Sequence, residues 1–240
     1  EIASDWIVTT PGVVSALAIA VNAFTAKGDA VIIQKPVYYP FDRVIETNGR
    51  VVIENPTIFC EDHYEIDFED FEQKIIENHV KLFLLCNPHN PVGRVWTREE
   101  LIRLGDICMK HDVIVASDEI HEDFVFQGKH QVFAGLKKAY EDRCIVCTSP
   151  SKTFNLATMV LSNIFIPNQD LRKRFQKQLD AAGISQLGVM GLIACETAYS
   201  RGEEWYLAML EYVCGNIAYI KQYVAENLPG VMMTEHEGTY

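Results

Sequence analysis

Val113-Ile114-Val115-Ala116-Ser117-Asp118-Glu119-Ile120-His121 is a short apolar run that ends without warning in two carboxylates and an imidazole. A stretch of this length, all small or β-branched and apolar, reads as a strand buried on both faces, as in a parallel sheet covered by helices. Such a strand delivers Asp118 at its carboxyl end, where an unpaired charge would be very costly. A neighbouring Lys or Arg could supply the partner, and so could a protonated ring nitrogen on a bound cofactor.

The same grammar extends outward in both directions. Trp6 to Thr9 reads as a strand, followed by a helix from Val13 with Val13, Leu17, Ala20, Val21 and Phe24 on one face. Ala30 to Ile33, Arg50 to Glu54, Val80 to Cys86, Cys144 to Thr148 and Leu161 to Ile166 are further strands. Helical patterns stand between them at Tyr39 to Asn48, Phe68 to Asn78 and Asp170 to Asp180. Another opens with the Thr97/Glu100 capping box. From Ser185 to Asn227 the pattern is helical, with Trp205 to Glu226 as one long helix. Trp, Phe and Met along the helices read as core. Alternation of this kind predicts an α/β fold with a mostly parallel sheet in three layers.

In such a sheet ligands bind beyond the carboxyl ends of the strands. Besides Asp118 and His121, three more unusual segments fall there. Thr10-Pro11-Gly12-Val13-Val14 opens a helix, whose free N–H groups suit a phosphate, although an ordinary strand-to-helix turn looks the same. Asn87-Pro88-His89-Asn90-Pro91-Val92-Gly93 has two prolines that stiffen the backbone and hold the Asn90 amide in place. Ser149-Pro150-Ser151-Lys152-Thr153-Phe154-Asn155 puts a lysine between hydroxyls at a strand end, as a surface charge or as a nucleophile made reactive by burial.

Composition narrows the field. Net charge is −12, with no basic run, which argues against nucleic acid as a partner. No apolar run approaches a membrane span. The seven cysteines show no second Cys or His pair at zinc spacing, so reduced thiols in a cytoplasmic protein are the simplest reading. The chain starts without methionine and stops in mid-phrase at Gly238-Thr239-Tyr240, as a fragment of a longer protein would.

In this order, the four segments resemble the large domain of fold-type I pyridoxal-phosphate (PLP) enzymes, the aminotransferase class I/II superfamily. Lys35-Pro36-Val37-Tyr38, Cys86 to Gly93, Ser117 to His121 and Ser151 to Asn155 are most similar to its bacterial β C–S lyase branch. The resemblance implies a three-layer α/β/α large domain over residues 1–204, then a long interdomain helix and the start of a small domain over 205–240. It implies that Lys152 holds PLP as a Schiff base and moves the substrate Cα proton, and that Asp118 pairs with the pyridinium nitrogen. Asn90 would bond the ring 3-oxygen with His121 close by, and Tyr38 would stack on the ring. The amides of Val13 and Val14 after Gly12, with the Ser149 and Ser151 hydroxyls, would hold the phosphate.

The implied activity is β-elimination from L-cystathionine or a related L-cysteine conjugate, giving pyruvate, ammonia and a thiol. Transamination is the alternative, and a regulatory role on the same fold comes third. A homodimer is implied, as is a carboxylate-binding arginine beyond this chain. One stretch departs from the family: Leu156 to Leu161 has neither the usual glycine nor a basic residue for the phosphate.

Overall fold

A computed structural model describes residues 2–184 and 186–240. The elements run β1 (Ile7–Thr10), α1 (Val13–Phe24), β2 (Ala30–Lys35), α2 (Pro40–Glu46), β3 (Val51–Pro56), β4 (Ile58–Cys60) and β5 (His63–Glu65). They continue with α3 (Phe68–Glu77), β6 (Leu82–Cys86), α4 (Arg98–Lys110), β7 (Ile114–Asp118), β8 (Cys144–Thr148) and α5 (Pro150–Thr153). β9 (Ser162–Phe165), α6 (Gln169–Ala181), α7 (Val189–Arg201) and α8 (Glu203–Asn227) complete the chain.

The main sheet has the order β1-β9-β8-β7-β6-β2-β3. Only β9 runs against its neighbours, pairing antiparallel with both β1 and β8. Each parallel strand therefore points its carboxyl end to the same edge. Burial on both faces explains the unbroken apolar runs of β6 and β7. One face packs Leu17, Phe41, Leu84, Ile145 and Phe175 under α1, α2 and α6. The other packs Phe71, Phe83, Trp96, Leu104 and Tyr140 under α3 and α4. These are the three layers that the alternation predicts.

Boundaries hold to within a residue or two. Both halves of the Thr97/Glu100 capping box form. The polar stretch around Glu61 and Asp62 is the turn of the β4–β5 hairpin, which the sequence reading left unassigned. Its exposed strands show too little apolar alternation to announce themselves.

Ser185 lies outside the described residues, and the expected helical stretch divides at Gly202 into α7 and α8. A Cβ at Gly202 would stand 2.5 Å from Phe154 Cε1, so this junction packs onto the segment that carries Lys152. The reading of Trp and Met as core fails on these two helices. Met190 is 65% exposed and Trp205 48%, and α8 buries no residue among those described. Apolar periodicity reports that a face must be covered, without saying that this stretch of chain covers it. Among the described residues no helix is long and apolar enough to cross a membrane.

Candidate active site

The ends of β1, β6, β7 and β8 converge on a cavity of about 270 Å³ walled by Gly12, Val13, Val14, Tyr38, Asn90, Asp118, His121, Ser151 and Lys152. All but one of the residues expected at the site meet here. The exception is Ser149, which is not a wall residue. Its buried hydroxyl is 2.7 Å from both Leu161 O and Ser151 Oγ, and it accepts from Ser151 N as the cap of α5. Its place is to hold Ser151, which faces the cavity.

At the floor, Asp118 stands in register between Cys86 of β6 and Cys147 of β7's other neighbour, β8. Its carboxylate accepts one hydrogen bond, from Ile120 N at 3.1 Å. Among the described residues no Lys or Arg forms an ion pair with it, which removes the salt-bridge alternative. Burial is the main reason its pKa is pushed up to about 7, the Ile120 N–H and Lys152 opposing. A carboxylate so placed wants a cation that no ion pair among the described residues supplies.

Glu119, next along, has another task. Its Oε1 accepts from Ser117 Oγ and Phe133 N, and its Oε2 meets His130 Nε2 at 2.8 Å. That pair ties down the loop after β7, away from the cavity. His121 turns toward it. Burial, and then Lys152, hold its pKa down to about 4, and its buried Nδ1 has no hydrogen-bond partner among the described residues. It is a neutral imidazole at physiological pH.

Two loops brace each other above the floor. Tyr38 N donates to Asn90 O at 3.0 Å, and His89 Nε2 meets Pro36 O at 2.8 Å. Trp96 Nε1 donates to Cys86 O, so the asparagine loop is pinned from below. The Asn90 side chain makes no hydrogen bond among the described residues and remains available to a ligand.

At the far wall, Gly12 has φ +90°, and a Cβ there would meet no protein atom within 4 Å. Glycine leaves that room open and adopts the backbone that others resist. Among the described residues no side chain caps α1, so the Val13 and Val14 N–H groups, which have no acceptor inside the helix, face the cavity with the positive end of its dipole. The donor set thus fits a ligand with an anionic group at one end and a cationic ring at the other, beside a primary amine.

Cys86, Ile120, Ala157 and Val160 also line the cavity, and sequence reasoning missed them. Apolar wall residues carry no chemical signal. Val160 belongs to the stretch that departs from the family pattern, and it is held at φ +49°, ψ +57°, a left-handed conformation that β-branched residues resist.

A model of the aminotransferase class I and II family matches residues 1–239. The chain is 43% identical over 237 residues to cystathionine beta-lyase PatB of Bacillus subtilis, covering 98% of this chain and 61% of that protein. It superposes on cystalysin from Treponema denticola, a structure that contains a pyridoxal 5'-phosphate cofactor, with TM-score 0.97 and 41% identity. That match covers all of this chain and 61% of cystalysin. A PLP-bound C–S lyase from Staphylococcus hominis superposes with TM-score 0.94 and 34% identity, over 100% and 61% of the two chains. The chain thus spans about three-fifths of the length of these relatives. Sequence, sheet topology and the converging strand ends agree, and the chain belongs to the aminotransferase class I and II family.

Proposed function

We propose that this chain is the PLP-binding part of a carbon–sulfur β-lyase that acts on L-cystathionine or a related L-cysteine conjugate, releasing pyruvate, ammonia and a thiol. The observation that carries the reading is Asp118, a buried carboxylate without a cation, in one cavity with the Lys152 amine. Similarity to the cystathionine beta-lyase PatB, to PLP-containing cystalysin and to the PLP-bound S. hominis C–S lyase supports it.

Bound in the cavity, PLP supplies an electrophilic carbon for the substrate amine and a cationic ring that draws electrons from the substrate Cα. The chain's residues supply the rest. The Val13 and Val14 N–H groups and the Ser151 hydroxyl would hold the phosphate, Tyr38 would cover a ring face, and Asn90 would bind the ring oxygen with His121 alongside. Asp118 would keep the ring nitrogen protonated. Lys152 would anchor the cofactor and serve as the base that takes the substrate Cα proton at Nζ.

Residues 1–204 would form the PLP-binding domain, and 205–240 the interdomain helix and the start of a small domain. The exposed apolar face of α8 suits a homodimer or a second domain as its cover. Every cysteine is free among the described residues, in keeping with a reducing cytoplasm.

The test is pyruvate release by the PLP-loaded full-length protein from L-cystathionine without a keto acid. Many turnovers, abolished in Lys152→Ala, support the lyase. One amino group transferred per site, leaving the pyridoxamine form of the cofactor, would replace it with an aminotransferase.

A further inference from the structure

The last residues of the chain return to His121 and Lys152, two wall residues of the cavity. Glu237 Oε2 accepts from Arg94 Nε at 2.9 Å and from Val95 N at 2.8 Å. Arg94 is buried and also holds Glu100 of the α4 capping box and Tyr64 O. The N–H groups of Glu237 and Gly238 both donate to Gly93 O, and Thr239 N donates to Phe124 O, each at 2.9 Å. A Cβ on Gly238 would stand 2.6 Å from Val95 Cγ2 and 2.8 Å from Phe124 O. Only glycine lets the strap pass between the loops that follow β6 and β7.

This backbone anchoring delivers Tyr240. Its ring lies 4.8 Å from Phe124 and 5.5 Å from His121, and Lys152 Nζ stands over it at 5.6 Å from the centroid. The residue is 63% exposed, so the anchored strap, and not burial of the ring, fixes its place.

We propose that Tyr240 is a specificity-determining residue: with His121, and backed by buried Phe124, it forms an aromatic wall beside the substrate's β-substituent that favours thioether sulfur. The inference rests on the β-lyase reading. Proton transfer to Lys152 requires a substrate Cα about 3–3.5 Å from Nζ. Cβ and its substituent then lie roughly 4–6 Å from Nζ, and the Tyr240 ring, centred 5.6 Å from Nζ, flanks a substituent that extends on its side of the lysine. Sulfur about 5 Å from an aromatic ring is favoured, at ring edges above all. Loss of the ring would cost roughly three- to tenfold in preference for a thioether.

The experiment uses the PLP-loaded full-length protein and its Tyr240→Ala and Tyr240→Phe variants. The first readout is the ratio of kcat/KM for S-methyl-L-cysteine to that for β-chloro-L-alanine, whose leaving group has no sulfur. The second is the ratio of dissociation constants for L-alanine and L-methionine, read from cofactor absorbance without turnover. Tyr240→Ala is expected to lower both ratios about fivefold, and Tyr240→Phe to keep each within about twofold. Unchanged ratios in Tyr240→Ala would overturn the proposal. Pyruvate from neither substrate in the unsubstituted protein would overturn the elimination reading alone. The binding ratios then decide for Tyr240: a fall supports the wall, and no change overturns it.

Discussion

Asp118→Asn should stabilise the cofactor-free protein while crippling the loaded one. The side chain keeps its volume and loses its charge. In the folded, cofactor-free chain the carboxyl pKa is pushed from 3.8 to about 7, chiefly by burial. A carboxyl whose pKa is raised by folding costs nothing below its unfolded value. The cost grows as pH climbs from about 4 to 7, and above that it is constant. At 1.36 kcal/mol for each pH unit, the full cost is ~4 kcal/mol at pH 8. At pH 5 it is ~1.6 kcal/mol. The variant escapes this cost.

Urea unfolding of the cofactor-stripped full-length protein at both pH values measures the difference, with midpoints converted through the slope m. The variant should gain stability at pH 8 and gain less than half as much at pH 5. In the loaded protein the same substitution leaves the ring nitrogen without its counter-charge. Truncating one partner of a buried charge pair costs about 2–5 kcal/mol, so pyruvate release should fall by at least ~30-fold. A variant less stable than the parent at pH 8, without cofactor, would refute the reasoning. It would mean that Asp118 is held ionised by a partner within the chain.

Two further outcomes follow from the walls of the site. Val160→Gly should relieve about 1–2 kcal/mol of strain, because it releases a β-branched residue from φ +49°, and should raise stability by up to about 1 kcal/mol net in thermal or urea unfolding. The greater freedom of glycine in the unfolded chain offsets the remainder. His89 is fully buried, and burial lowers its pKa to about 4 while it holds Pro36 O. The neutral form is the one that fits, so its contribution is intact above about 6.5 and is lost as pH falls through 6.5 toward 4. His89→Gln should flatten stability over that window by up to ~3 kcal/mol, measured by urea unfolding at pH 4.5 and 7.

Much of the candidate site is legible in the sequence. Gly12, Asn90, Asp118 and Lys152 each stand where a regular element breaks off into residues that a sheet or helix does not need. Local chemistry of that kind is written in neighbouring residues. Ser149 shows the limit: its hydroxyl was as good a phosphate ligand as that of Ser151, and only the packing of Leu161 O against it turned it inward. Glu119 and Asp118 are adjacent and chemically alike, yet one is consumed by Ser117, Phe133 and His130 while the other faces the cavity. Strand alternation sends successive side chains to opposite faces, but which face holds the ligand depends on the layers around it.

The sequence by itself determined the parallel α/β sheet and the four breaks at its carboxyl edge, because hydrophobic period and turn chemistry act over a few residues. Only the tertiary structure decided that Glu237 to Tyr240 return to Lys152, nearly ninety positions back in the chain. That approach rests on Arg94, Gly93 and Phe124 meeting the strap across distant segments. Such long-range contacts have no local period to announce them.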